Sequence, residues 1–325
     1  MKKRLLPLLL AACDGSEPEA VKPVAWKEAE SLLVVGQTQG FASGAGRTRY
    51  VLVQNGGQSR LARSADGGAT WQAVDSTSGT PTSTTPDVFR SLAVEGDDIV
   101  VGTNRGFRIS RDAARTWTSV TIGTGRRVFA LHASPLLAAV EQAGPCRLDI
   151  RSGACPPVSL GADYPFYDLS ADGERAYVAA GVVGTSRDGG RTWSTRSLEG
   201  RVVSVAMGEG DVVYAGAGAG AGSTEPEKDG VFRSDDGGET WTRAGLAGEP
   251  IQALLAVSGR TVFAGGAGGV WRSLDQGATW ENVTGVIANA PPSLSSVRVI
   301  ERDADGYVWV GTRATLFRST EKIAR

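Results

Sequence analysis

Residues 234–241 read SDDGGETW, and the same skeleton, S-x-D-x-G-x-T-W, occurs four more times in the chain. The other copies are SADGGATW at 64–71, SRDAARTW at 110–117, SRDGGRTW at 186–193 and SLDQGATW at 273–280. Five copies of an eight-residue pattern, each called a box below, indicate a repeat protein built from similar units. The recurring residues are Ser64, Asp66, Gly68 and Trp71; Ser110, Asp112 and Trp117; Ser186, Asp188, Gly190 and Trp193; Ser234, Asp236, Gly238 and Trp241; and Ser273, Asp275, Gly277 and Trp280.

Each box belongs to a unit of four short apolar runs. The runs 212–216 (VVYAG) and 230–234 (GVFRS) lead into the fourth box, and a short run led by its Trp follows. A further run opens each unit, as at 89–94, 202–207 and 251–257. Their length, their β-branched and aromatic content and the turn residues between them predict strands. We call these strands A to D, so that the box forms the C–D turn.

The spacing of the boxes gives the number of units. Their central Asp residues are 46, 76, 48 and 39 residues apart, so one interval holds two units. In that interval the runs 128–133, 136–140 and 146–151 supply strands A to C of a unit without a box. A last unit, over 296–319, lacks a D strand, which the Trp-containing segment 24–30 can supply. Closure by an N-terminal strand removes the open sheet edges, so the sequence predicts an all-β, seven-bladed β-propeller.

The box resembles the Asp-box, or BNR, repeat of sialidases, xyloglucan hydrolases, sortilin-type receptors and photosystem assembly factors. The resemblance covers essentially the whole chain after its N-terminal segment, and the box residues have structural reasons. Ser and Asp side chains accept hydrogen bonds from backbone N–H groups in tight turns. Gly supplies a positive φ, and Trp packs on the adjoining blade. One carboxylate per blade cannot converge on a single ion, so we expect no metal and no cofactor. Ala114 replaces the box Gly in the second copy and is expected to strain that turn.

The N-terminal segment has the pattern of an export signal. Lys2, Lys3 and Arg4 precede a short apolar run, and Leu10-Ala11-Ala12-Cys13 resembles a bacterial lipobox. We therefore expect a signal peptide over 1–12, a lipidated Cys13 with a tether over 13–23, and a propeller over 24–325 whose first A strand is 31–35. The expected location is the bacterial cell envelope, with the lipid on Cys13 as membrane anchor. An ordinary signal peptide that contains a Cys is the alternative.

Charge and cysteine content narrow the class further. The chain has 34 Lys and Arg against 35 Asp and Glu, a net charge of -1, which gives no field that favours nucleic acid. Cys146 and Cys155 have neither His nor Cys neighbours that would suggest a metal site. In an exported protein they predict a local disulfide that closes a hairpin, with two free thiols as the alternative.

Binding residues are expected on the face opposite the boxes, where the D–A and B–C loops lie. The long loops 75–87, 217–229 and 285–295 are all on this face, and loops of this kind often carry function. Arginines exposed there could bind an acidic glycan or a carboxylate, whereas scattered solvated arginines would bind nothing. The candidate ligand-binding residues are Arg105, Arg126, Arg127, Tyr164, Tyr167 and Arg313.

Catalytic motifs are few. The Arg-Ile-Pro motif of the sialidases that the box resembles is absent, because Phe107-Arg108-Ile109 continues into the box residue Ser110. Asp168 and Glu141 are candidate carboxylates for glycoside hydrolysis, which needs two such groups, but their spacing does not single them out. We therefore predict a non-catalytic, monomeric envelope lipoprotein that binds an envelope protein or glycan. A glycoside hydrolase of sialidase-like or xyloglucanase-like type is the alternative.

Overall fold

The computed structural model describes residues 24–31, 34–55, 58–76, 88–161, 165–218, 225–284 and 296–324. They form seven antiparallel sheets, here called blades, around a central channel. The prediction of a seven-bladed, all-β propeller is confirmed. A single 3₁₀ turn, Pro226–Lys228, is present, and no helix in these ranges is long and apolar enough to span a bilayer.

The blades are numbered in chain order, and strand β1 belongs to the last of them. Blade 1 contains β2 (Gln37–Ser43), β3 (Arg49–Asn55), β4 (Gln58–Ser64) and β5 (Gln72–Ser76). Blade 2 contains β6 (Phe89–Glu95), β7 (Asp98–Thr103), β8 (Gly106–Ser110) and β9 (Thr118–Thr121), and blade 3 contains β10 (Val128–His132), β11 (Leu137–Val140) and β12 (Gly144–Arg147). Blade 4 contains β13 (Asp168–Asp172), β14 (Arg175–Ala179), β15 (Val183–Ser186) and β16 (Ser194–Arg196), and blade 5 contains β17 (Val202–Met207), β18 (Val213–Ala217), β19 (Gly230–Ser234) and β20 (Thr242–Arg243). Blade 6 contains β21 (Ile251–Ala256), β22 (Val262–Gly266), β23 (Gly269–Ser273) and β24 (Glu281–Asn282), and blade 7 contains β25 (Val299–Arg302), β26 (Val308–Gly311), β27 (Leu316–Ser319) and β1 (Trp26–Glu28).

The ring closes through the N-terminal strand, as the sequence predicts. Strand β1 is antiparallel to β27, with Trp26 opposite Ser319 and Glu28 opposite Phe317. The indole Nε1 of Trp26 also donates to the Val283 carbonyl of blade 6, at 2.9 Å. The last blade therefore has four strands, and its outer edge is covered.

The core lies between blades rather than at the centre of the ring. Seven clusters of buried apolar side chains are found in the described ranges, one at each junction between neighbouring blades. At the closing junction, Trp71 of blade 1 meets Trp309 of blade 7 edge-on, with ring centroids 6.2 Å apart. The inner strands that enclose the channel are therefore held in place by the packing between neighbouring blades.

The first inner strand begins later than predicted. We expected it at 31–35, whereas β2 begins at Gln37. The chain first runs along blade 7, where the Gly36 N–H donates to the Ala314 carbonyl at 2.7 Å. Gly36 then turns it with a φ of +134°, a conformation open to glycine because it lacks a Cβ.

Blade 3 also differs from its prediction. The C strand was expected over 146–151, but β12 ends at Arg147 because Asp149 starts a turn. The Asp149 carboxylate accepts the Arg151 N–H at 2.9 Å and the Ser152 hydroxyl at 2.6 Å. No D strand follows in this described part of the chain, and an irregular segment takes its place.

That segment is fixed by a disulfide between Cys146 and Cys155, whose Cα atoms are 5.4 Å apart. Beyond it, the Val158 N–H donates to the Pro145 carbonyl at 2.8 Å. The outer edge of β12 is therefore partly paired, although the blade has three strands.

The boxes are hydrogen-bonded turns on one face of the ring. In the fourth box, Ser234 Oγ donates to Asp236 Oδ1 at 2.7 Å and accepts the Gly238 N–H at 2.8 Å. Asp236 also accepts the Thr240 hydroxyl at 2.5 Å and the Thr240 N–H at 2.9 Å. These bonds, that from the Thr240 hydroxyl first, lower the pKa of Asp236. The carboxylate oxygens are thus used within the turn.

Candidate functional site

The mouth of the channel opens on the face opposite the boxes. The inner strand of five blades carries a β-bulge at its second or third residue, which leaves one residue outside the ladder. Bulges re-aim side chains, and these five line one cavity of about 390 Å³ together with the corresponding residues of blades 4 and 7. The mouth ring, one residue from each blade, is Gln39, Arg90, Phe129, Tyr167, Val203, Gln252 and Arg298.

Three arginines that form no ion pair with any described residue surround this mouth. Arg90 and Arg298 belong to the mouth ring, and Arg201 lines the same cavity. The Nε atoms of Arg90 and Arg298 are buried and have no hydrogen-bond partner among the described residues. Each guanidinium group carries further N–H donors, and both residues line the cavity, so they are suited to receive an anionic ligand.

Aromatic rings hold two of the three guanidinium groups. Arg90 Cζ lies 5.6 Å from the centroid of the Phe129 ring, and Arg201 Cζ lies 5.0 Å from that of Tyr167. Both are within cation–π distance. A cation–π contact restrains a guanidinium group without using its N–H groups, which can then bind a carboxylate.

Neighbouring charges increase the positive potential of the mouth. Burial lowers the pKa of Arg90, with Arg127 as a second cause, although Glu141 opposes it. Burial also lowers the pKa of Arg298, and Arg313 adds to that effect. Two half-buried cations that are each near a second cation disfavour further positive charge and favour an anion.

An apolar ring lies deeper in the channel. It comprises the side chains two residues beyond the mouth ring on each inner strand, and most are packed between blades. The apolar ring is Phe41, Leu92, Leu131, Leu169, Val205, Leu254 and Ile300.

Two acidic groups face the channel, from blades that lie nearly opposite one another. Asp168 accepts the Leu169 N–H at 2.8 Å and the Val205 N–H at 3.0 Å, so it bridges blades 4 and 5. Burial raises its pKa to about 6 despite these two bonds. Glu301 lies three residues beyond Arg298 and is open to the channel lumen, yet protein surrounds it. That enclosure, with the charge of Asp168 as a second cause, raises the pKa of Glu301 to about 8.

His132 occupies the position of blade 3 that corresponds to Glu301. Its Nδ1 is 3.4 Å from the Pro135 carbonyl, and burial lowers its pKa. The lowered pKa favours the neutral imidazole. No set of three His, Cys, Asp or Glu side chains within the described ranges could hold a metal ion.

Some of the ligand-binding residues predicted from the sequence lie at the mouth, and others do not. Tyr167 belongs to the mouth ring, whereas Arg105 and Arg313 are exposed in B–C turns. Arg126 donates to the Glu141 carbonyl at 3.2 Å, and Arg127 pairs with the Glu141 carboxylate at 3.2 Å. Tyr164 and most of the three long loops lie outside the described residues.

The two predicted carboxylates occupy different places. Glu141 is on the rim, in its ion pair with Arg127, whereas Asp168 is inside the channel. The acidic group that interacts electrostatically with Asp168 is Glu301.

Sequence reasoning missed Arg90, Arg201, Arg298 and Glu301. The available signal was weak: Arg90 and Arg298 stand at the start of the run that opens a unit, as in FRSLAV and VRVIER. Only an alignment of all seven opening runs, bulges included, would place them in one ring.

The fold and the boxes define the class of this molecule, a seven-bladed Asp-box β-propeller. A sequence profile of the BNR/Asp-box repeat matches residues 232–243, which contain the fourth box. No curated protein matches the chain by sequence.

Solved structures share the fold at low sequence identity. YCF48 from Cyanidioschyzon merolae is 16% identical over 91% of this chain and 98% of its own, with a TM-score of 0.62. A structure of YCF48 bound to D1 peptide is 15% identical over 94% of this chain and 97% of its own, with a TM-score of 0.67. The GH74 enzyme of Niastella koreensis is 18% identical over 90% of this chain and 44% of its own, with a TM-score of 0.55.

Proposed function

We propose that this chain is a lipid-anchored binding protein of the bacterial cell envelope, acting as a monomer. Its mouth face binds a carboxylate-bearing segment of a partner protein. The observation that carries the proposal is that Arg90, Arg201 and Arg298 line one cavity at the mouth. A similar propeller, YCF48, has been seen with a peptide bound, which supports a peptide as the kind of ligand.

The positive charge that would attract a ligand is concentrated at the mouth and is not a property of the whole chain. The chain as a whole is nearly neutral, at -1, so the positive potential is local to the mouth. Potentials in a cleft with low-dielectric walls are focused, which raises the local concentration of oppositely charged ligands. Arg90 and Arg201 are also restrained by cation–π contacts, so less freedom is lost when a carboxylate binds.

Binding of a fluorescein-labelled oligoglutamate peptide to the mature protein in detergent tests this proposal. We expect Arg90→Gln combined with Arg298→Gln to weaken binding at least tenfold. Arg115→Gln, an exposed arginine in the second box on the opposite face, should leave it unchanged. Equal binding by the mouth variant and the wild type would refute an arginine-based site. Binding of oligogalacturonate in place of the peptide would identify a glycan ligand instead.

The anchor is proposed from the lipobox-like sequence that ends at Cys13. The variant Cys13→Ser should move from the membrane fraction to the soluble fraction when expressed in bacteria. Persistent membrane fractionation of that variant would refute lipidation as the means of attachment.

A glycoside hydrolase is the second candidate. Two channel carboxyl groups with raised pKa values, Asp168 and Glu301, are the observation that favours it, because a general acid needs a raised pKa. A screen with fluorogenic glycosides tests this function. Turnover that disappears in both Asp168→Asn and Glu301→Gln would favour the enzyme over the binding protein.

A further inference from the structure

We infer that the mouth and the channel together bind one bipolar ligand, a carboxylate joined by a short apolar stem to an ammonium group. The α-carboxylate would lie at Arg90 and Arg298, and the ammonium would lie at Glu301 beyond the apolar ring. A lysine with a free α-carboxylate, as at the C-terminus of a partner protein, has this chemistry. The inference rests on the proposed function and narrows its ligand.

The mouth and the channel form one continuous space. Six residues of the mouth ring line both the outer cavity of about 390 Å³ and the inner one of about 290 Å³. Such volumes are at the lower end of the range for small-molecule sites, roughly 300–1,000 Å³. An amino acid side chain can therefore enter while the rest of its chain stays outside.

The charged groups are spaced for such a ligand. Arg298 and Glu301 lie three residues apart on one inner strand, and a strand rises about 3.3 Å per residue, or about 10 Å over this interval. The distance between the two charged groups also depends on how the flexible side chains of Arg298 and Glu301 extend into the channel. Lysine carries its ammonium on a flexible four-carbon stem, which can adjust to an interval of this order.

The lining between the charged ends is mixed, and apolar side chains form part of it. Leu92, Leu131 and Ile300 belong to the apolar ring and lie between the mouth ring and the level of Glu301. A methylene stem between the two charges gains where it leaves water for these side chains.

Glu301 lacks a counter-ion in the described structure. It forms no hydrogen bond or ion pair with any described residue, whereas Asp168 is bonded to two backbone N–H groups. The charge that acts on it within the channel is that of Asp168, and His132 lines the same cavity. An ammonium bound there would favour the ionised form of Glu301, and the negative charge of Asp168 would assist its binding.

Calorimetric titration of the mature protein with 6-aminohexanoate, hexanoate and hexylamine tests the inference. We expect 6-aminohexanoate to bind at least tenfold more tightly than hexanoate, and hexylamine to bind more weakly than both. The variant Glu301→Gln should remove the preference for 6-aminohexanoate while its hexanoate affinity stays unchanged. Ser170→Ala, at the corresponding level in blade 4, is the matched control and should behave as the wild type.

A second pair of probes distinguishes the C-terminal lysine of a protein from the free amino acid. Nα-acetyl-lysine mimics a C-terminal lysine, whereas free lysine brings a second ammonium close to the mouth arginines. Tighter binding of Nα-acetyl-lysine indicates a protein terminus, and tighter binding of lysine indicates the free amino acid.

The outcomes distinguish this inference from the proposed function. Equal affinities for 6-aminohexanoate and hexanoate, both lost in Arg90→Gln/Arg298→Gln, would overturn the bipolar ligand and leave the arginine site in place. A preference for 6-aminohexanoate that survives Glu301→Gln, with the melting temperature of the variant unchanged, would also overturn it. Oligoglutamate binding without any binding of the small probes would have the same consequence.

Discussion

Arg49 Nε lies 3.0 Å from Oδ2 of Asp303, a residue 254 positions later, and both side chains are buried. The same carboxylate oxygen accepts the indole N–H of Trp309 at 2.8 Å. Arg49 Nη2 also pairs with Asp305 at 2.7 Å. These contacts join blade 1 to blade 7, next to the junction where the N-terminal strand closes the ring.

Loss of either member of this pair should be destabilising. We expect Arg49→Met to lower the free energy of unfolding by about 3–5 kcal/mol, because it leaves the buried Asp303 carboxylate without its counter-ion. Asp303→Ala should also be destabilising, but less so, because Asp305 still pairs with Arg49. Urea denaturation measures the change. Arg175→Met, which breaks a pair with Asp172 that is open to solvent, should cost at most about 1 kcal/mol. Similar small losses in all three variants would show that the buried pair has no special role.

The box serine is predicted to stabilise its turn measurably. Ser234→Ala removes the acceptor of the buried Gly238 N–H, and we expect a loss of about 1–3 kcal/mol in unfolding free energy. Ser194→Ala, at an exposed strand position, should change it by about 0.5 kcal/mol or less. Chemical denaturation of both variants tests this, and equal effects would argue against the hydrogen bond as the cause.

The second box contains two strained alanines rather than one. Ala113 has a φ of +55° and Ala114 a φ of +70°, and L-residues in this region cost roughly 1 kcal/mol or more. Ala113→Gly should therefore raise the melting temperature. Ala114→Gly should raise it less, because the Ala114 methyl is buried beside Tyr50 and burial of such a group contributes about 0.8 kcal/mol. A larger rise for Ala114→Gly would show that its methyl is not well packed.

Stability should depend on the ionisation of Glu301. Its pKa is raised to about 8 in the folded protein, chiefly because protein encloses it in the channel, so the folded state holds a proton that the unfolded state releases near its ordinary pKa. Folding is then disfavoured progressively as pH rises from about 5 to about 8. Relative to the wild type, Glu301→Gln should gain melting temperature over that interval and none below it. A difference that does not vary with pH would contradict this assignment.

The disulfide of blade 3 is predicted to contribute to stability through loop closure. Cys146 and Cys155 are 9 residues apart, and closing so short a loop is worth about 2–3 kcal/mol in the chain-entropy account. We expect Cys155→Ser to lower the unfolding free energy by that amount, with a matching loss when the wild type is reduced. A variant that unfolds like the oxidised wild type would show that the backbone pairing of Val158 suffices.

Local pattern determined most of the architecture. Five boxes, their spacing and a Trp-led segment near the N-terminus were enough to predict seven blades and their closure, because each box makes its hydrogen bonds within eight residues. The two strand bounds that were wrong, at 31–35 and 146–151, depend on contacts made elsewhere. Gly36 bonds to blade 7, and the turn at Asp149 ends β12 early.

The sequence by itself therefore determined the repeat and the number of blades, and it predicted a face for ligand binding. Only the tertiary structure decided which arginines meet there. Arg90 and Arg298 are 208 positions apart, and their convergence depends on the ring closing and on a bulge in β6 that turns Arg90 towards the lumen. A side chain's neighbours across a channel belong to other blades, so no local pattern of residues encodes them.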